Sequence, residues 1–167
     1  PSIFYDDGGE RVVDVCFVGS LSQYPQRKLA IGYLMEHDIA VVCRGGQLDD
    51  HISIDEYANY LRLSKISLNF AQAAFSNDKY HCKGRVLEST LCGALLMEEE
   101  NKETQKWFEP GIEYVAFRNE RDLLEKVRYY LSNPREMQAI ARRGAQKAAS
   151  CYSAEAFWRR FFKLVID

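Results

Sequence analysis

Short apolar runs alternate with stretches of helical spacing along almost the whole chain. Val12–Val18 (VVDVCFV) is β-branched and aromatic and closes on Gly19-Ser20, which predicts a buried strand followed by a turn. Arg27–His37 places Leu29, Ile31, Leu34 and Met35 at helical spacing. Ile39–Cys43 predicts a second strand, closed by Gly45-Gly46. Asp55–Leu63 then reads as a short helix, with Ser53 three residues ahead of Glu56 as a capping box.

The second half repeats the scheme. Ile66–Phe70 is a third strand, and the polar loop Ala71–Cys82 leads to a helix at Arg85–Leu91 that Gly93 ends in the C′ position. Ala94–Met97 and Tyr114–Phe117 are the fourth and fifth strands, with a helix at Lys102–Phe108 between them. Three helices finish the chain: Arg121–Leu131, stopping near Asn133-Pro134, then Arg135–Ser150, then the amphipathic and aromatic Ser153–Ile166. Strands alternating with helices predict βαβ units. The expected fold is therefore α/β, a Rossmann-like three-layer sandwich with a parallel sheet and a C-terminal helical tail.

Composition narrows the classes of function. The 167 residues suit one domain, residues 1–167, and 47% apolar content fills one core. A net charge of −2 does not argue for nucleic acid or an anionic membrane as partner, and leaves room for a local basic pocket for phosphates. The five cysteines, Cys16, Cys43, Cys82, Cys92 and Cys151, are scattered and form no CxxC pair or Cys/His cluster, so no metal site is expected. Three of them lie in apolar runs, where Cys behaves as a small hydrophobe, and a reduced, cytoplasmic setting fits best. No stretch approaches the roughly 20 apolar residues of a membrane span. The chain opens on Pro1 with no signal peptide, and is expected to be a piece of a longer one.

In an open parallel sheet, ligands bind outside the carboxyl ends of the strands. The candidate loops are Gly19–Gln26, Arg44–Ile52, Ala71–Gly84 and Glu98–Asn101. Gly19-Ser20 with Arg27-Lys28 suits a diphosphate approaching a bare backbone, although a tight turn with two surface cations fits the same residues. Neither GxGxxG nor GxxxxGK[ST] is present. Lys83-Gly84-Arg85 opens a helix, and cations at a helix N-terminus oppose its dipole unless an anion binds there. Glu88 shares a face with Arg85, so the set reads either as phosphate cations beside a ribose-accepting carboxylate or as a surface ion pair. His81 lies on the same loop as a further candidate donor contact. Glu98-Glu99-Glu100 reads as a solvated loop after a strand. Phe157, Trp158, Phe161, Phe162 and Leu164 read as packing surface.

Taken in order, DVCFVGS, SKISLNF, RVLESTLCG followed by ALLMEE, FEPGIEY and RYYL resemble glycosyltransferases of the CgeB or spore-maturation type, relatives of the "glycosyl transferases group 1" in the GT-B clan. The resemblance covers nearly the whole chain. It implies the C-terminal half of a GT-B enzyme, which holds a nucleotide-sugar donor (a UDP- or GDP-sugar) for transfer to an acceptor bound by an N-terminal half of the same chain. No metal or other cofactor is implied. It places Glu88 on the donor ribose, Lys83 and Arg85 at the diphosphate, Gly19-Ser20 on the loop facing it, and Arg27 as a looser phosphate contact. Related retaining enzymes carry a glutamate eight positions before the ribose-binding one. Here Tyr80 stands there, a further candidate donor contact and a departure from the pattern. In two-lobed relatives the last helix crosses to the other lobe. If that lobe is missing here, part of the aromatic stripe is expected to be exposed or to pair two chains. The competing reading is a non-catalytic binding module with a degenerate donor site. A flavodoxin-like signalling domain would need acidic residues where the first strand ends in Gly-Ser.

Overall fold

The computed structural model describes residues 3–22, 24–46, 51–73 and 79–166. Parts of three candidate loops, residues 23, 47–50 and 74–78, lie outside the described residues. Five strands form one sheet: β1 (Val13–Val18), β2 (Val41–Arg44), β3 (Ser64–Asn69), β4 (Leu95–Glu99) and β5 (Val115–Phe117). Every pairing is parallel and the order is β2-β1-β3-β4-β5. The predicted α/β sandwich and its strand sequence are what the structure shows.

The helices that connect and follow the strands are α1 (Pro25–Glu36), α2 (Ile54–Leu63), α3 (Gly84–Leu91), α4 (Lys102–Gln105), α5 (Glu120–Ser132), α6 (Pro134–Tyr152) and α7 (Ala154–Ile166). Alternate strand residues face opposite layers, as a period of two requires. Val15, Phe17, Ile66, Leu68, Leu95 and Met97 pack with Ile31 and Leu34 of α1 and Leu123 and Val127 of α5. Cys16 packs on the other face with Leu61 of α2 and Cys92, and Leu96 with Val86 of α3.

Local chemistry sets the ends that matter for the site. Ser53 and Glu56 close a reciprocal capping box at the start of α2. At the end of α3, Gly93 has φ 73°, its N–H donates to the Thr90 carbonyl, and the Ala94 N–H donates to that of Ser89. That pair of bonds is a Schellman stop, which turns the chain straight into β4.

One reading of the sequence is corrected here. Glu98-Glu99-Glu100 is not a solvated loop: Glu98 and Glu99 are the last residues of β4, Glu98 is fully buried, and only Glu100 is exposed. The acidic run follows the strand in sequence, but the sheet extends two residues further than its apolar segment.

Candidate nucleotide-binding site

Strand order reverses between β1 and β3, because the chain leaves β1 towards β2 and returns to β1's other side at β3. A crevice therefore opens above the carboxyl ends of these two strands. A cavity of about 510 Å³ lies at the carboxyl end of β1, beside α3, and Gly19, Arg85 and Glu88 all line it. Gly45, His51, Ile52 and Tyr57, on the side of β2 and α2, complete much of its wall.

Arg85 projects from the first turn of α3 beneath the β1 turn. Its Nη1 donates to Asn69 Oδ1 at the end of β3, 2.8 Å away. Gly19 has φ 151°, and a Cβ there would overlap the Arg85 guanidinium, so the glycine is what lets the arginine pass under the backbone. Arg85 Cζ also sits 4.9 Å from the centroid of the Phe17 ring. Its Nε is buried without a hydrogen-bond partner. Glu88 makes no ion pair with Arg85: its Oε2 accepts from the Tyr57 hydroxyl instead.

Arg27 and Lys83 gather beside Arg85. Arg27 is buried, donates through Nη1 to the Ser20 carbonyl at 3.1 Å, and stacks its guanidinium 3.3 Å above the Tyr24 ring. Lys83 Nζ lies 5.2 Å from the same ring and donates to the carbonyls of Phe70 and Gln72 at 2.5 and 2.9 Å. Burial, then the charges of Arg27 and Arg85, lower the Lys83 amine to about 8. Slight desolvation, followed by the charges of Lys83 and Arg27, also holds the largely exposed His81 imidazole below its ordinary value. Three cations thus repel one another at one place, and they disfavour the charged form of the histidine beside them. Such an arrangement leaves a concentration of positive potential for an anion to neutralise.

Not every predicted residue joins them. Tyr80 is exposed, bridges to Gln72, and lines a separate cleft of about 730 Å³ with Glu100, Asn101 and Glu103. The Ser20 hydroxyl pairs with that of Ser22, leaving its carbonyl for Arg27. Another cleft, of about 700 Å³ between α1 and the start of α5, contains none of Gly19, Lys83, Arg85 or Glu88. Conversely, Asn69, Tyr57 and Tyr24 were not singled out from the sequence. Asn69 had a visible signal, a lone amide closing an apolar strand. Tyr57 and Tyr24 had none, since aromatic residues near helices usually pack in the core.

Beneath the cations lies Glu98. Its Oε1 accepts from Asn101 Nδ2 and Thr104 Oγ1, both at 3.3 Å, and its Oε2 is buried without a partner. Burial raises its carboxyl to about 7, against the opposing pull of Asn69 and Arg85. Among the described residues no group of three or more His, Cys, Asp or Glu side chains is placed to hold a metal ion, and no helix is long and apolar enough to cross a membrane.

The five-stranded parallel sheet with its flanking helices is a Rossmann-like α/β fold, the kind shared by its GT-B structural neighbours. The chain belongs to the glycosyl transferase-like family, whose sequence profile matches residues 12–163. No curated protein matches it in sequence. Among solved structures it is similar to HepE from Anabaena in complex with UDP-glucose, with a TM-score of 0.68 and 10% identity over 92% of this chain and 49% of that one. It is also similar to a TarM variant from S. aureus in complex with fondaparinux, alpha-GlcNAc-glycerol and UDP, with a TM-score of 0.72 and 12% identity over 98% of this chain and 38% of that one. The C-terminal domain of LpcC, a glycosyl transferase group 1 family protein from Francisella tularensis, gives a TM-score of 0.61 and 12% identity over 91% of this chain and 97% of that one. At these identities the likeness carries the fold alone. The chain spans about half the length of HepE.

Proposed function

We propose that this chain is the donor-binding part of a cytoplasmic glycosyltransferase of the CgeB or spore-maturation type, and that it holds a UDP- or GDP-sugar in the crevice between β1 and β3. The observation that carries the reading is the convergence of Gly19, Arg85 and Glu88 on one cavity, with Arg27 and Lys83 beside it. The diphosphate lies against Arg85 and the Gly19-Ser20 turn, and the ribose hydroxyls reach Glu88. HepE and TarM, which share the fold, are solved with UDP-glucose and with UDP. In the reaction an acceptor hydroxyl attacks the anomeric carbon, the bond from that carbon to the diphosphate oxygen breaks, and the nucleoside diphosphate leaves with the electron pair. Arg85, Lys83 and Arg27 stabilise the charge that develops on it, without a metal ion or other cofactor. An N-terminal half supplies the acceptor site and the general base. The 167 residues alone therefore bind donor and turn nothing over.

Calorimetry with UDP, GDP and ADP tests this. One of the three binds, and Glu88→Ala weakens that binding about tenfold, the loss of a charge-assisted hydrogen bond. Absence of heat with every nucleotide sinks the reading, and so does unchanged affinity after Glu88→Ala.

The aromatic stripe of α7 belongs to the same proposal. Phe157, Trp158, Phe161, Phe162, Leu164, Val165 and Ile166 are all exposed, and no residue of α7 is buried. A 13-residue helix this apolar is a surface awaiting cover. The isolated chain is expected to self-associate through it, as light scattering after size exclusion would show. Phe161→Glu should restore the monomer, whereas a wild-type monomer at high micromolar concentration would refute the self-association.

A further inference from the structure

Glu88 and Tyr57 stand on different helices and meet at the wall of the cavity. The Tyr57 ring packs edge-on against Phe4, with centroids 5.7 Å apart, so packing sets its position. Its hydroxyl donates to Oε2 of Glu88. Burial first, and then the adjacent Glu88 carboxylate, keep the phenol proton on well above the ordinary tyrosine range, in spite of Arg85. The phenol is thus a donor throughout the working pH range. The other carboxylate oxygen, Oε1, lies over Gly84, where an added Cβ would come within 3.2 Å of it. A glutamate on a helix has three free side-chain torsions, and one directed hydrogen bond removes most of that freedom.

We propose that Tyr57 is a positioning residue for ribose recognition: by engaging Oε2 it holds Glu88 in one orientation and leaves Oε1 as the acceptor for a ribose hydroxyl. The proposal rests on the donor-site reading above and deepens it, because it makes the site selective for ribonucleotides over deoxyribonucleotides. A held carboxylate oxygen with no hydroxyl to receive is left unpaired in the complex, and unpaired polar groups discriminate far better than missing apolar contacts do. A loose carboxylate would turn back to water and lose that discrimination. Gly84 has the complementary part of leaving room beside Oε1, since α3 begins there with no side chain in the way.

The test compares the ribonucleoside diphosphate that binds the wild-type chain with its 2′-deoxy and 3′-deoxy forms. Each is titrated into wild type, Tyr57→Phe, Glu88→Gln and the double variant, with thermal melting alongside. Phenylalanine keeps the ring and its packing on Phe4. Wild type is expected to prefer the ribonucleotide over at least one deoxy form by about tenfold, the equivalent of one charge-assisted hydrogen bond. Tyr57→Phe should lower ribonucleotide affinity by a similar factor, leave the deoxy affinities unchanged, and add nothing in the Glu88→Gln background. Unchanged preference, a parallel fall for all ligands, or tighter ribonucleotide binding in Tyr57→Phe each overturns the role of Tyr57 while leaving the donor site standing. Failure of wild type to bind any ribonucleoside diphosphate overturns both. Should Tyr57→Phe melt early, the Glu88→Gln variant decides instead: a preference that survives it overturns the proposal.

Discussion

Replacing Arg85 with methionine is expected to lower the affinity for a nucleoside diphosphate about a hundredfold, the scale of two charge-assisted hydrogen bonds lost together. The guanidinium is held from three sides: Asn69 takes one N–H, the Phe17 ring lies under its plane, and the turn at Gly19 passes over it. It needs no further ordering to meet a phosphate, so most of its interaction energy appears as affinity. Lysine in its place should recover only part of the loss, because a single ammonium cannot both hold Asn69 and present a fork to the phosphates. Titration calorimetry on the wild-type and variant chains measures this directly. A loss below threefold would mean that the diphosphate lies elsewhere. The variant also strands the Asn69 amide, at a cost of about 1–2 kcal/mol, so urea melts should accompany the titrations.

Glu98→Gln should make the protein more stable at pH 8 and leave it nearly unchanged at pH 5. The folded protein holds the Glu98 proton to about pH 7, against 4.5 for an ordinary glutamate. A carboxyl whose folded pKa is raised contributes stability that is full below the unfolded value and is lost as pH climbs through the folded one. Between pH 4.5 and 8 that loss is on the order of 3 kcal/mol for this group. A glutamine there keeps an oxygen for Asn101 and Thr104 and has no charge to desolvate. Urea denaturation at several pH values gives the answer. Parallel stability curves for wild type and variant would show that Glu98 stays protonated, or stays ionised, across the whole range.

The strands and helices could be read directly from the chain because their determinants are local. Short β-branched apolar runs, the Ser53 and Glu56 pair and the glycine at 93 each act within a few residues, and each appears in the structure where its chemistry puts it. The cavity residues Gly19, Arg85 and Glu88 were legible for a related reason: a turn glycine and charges at a helix start are anomalies against their own segments. Tyr80, which only the eight-residue spacing before Glu88 points to, lines another cleft.

What the sequence by itself determined was the order of elements and the parallel sheet. Only the tertiary structure decided that Glu98 is buried, that Lys83 spends its hydrogen bonds on the carbonyls of Phe70 and Gln72, and that Glu88 turns to Tyr57 rather than to Arg85. The physical reason is distance along the chain. Tyr57 and Glu88 are 31 residues apart, and Arg85 and Asn69 are 16 apart. Their meeting depends on how α2 and α3 settle on the sheet. A local pattern carries no information about which of several possible partners packing will bring within hydrogen-bond reach.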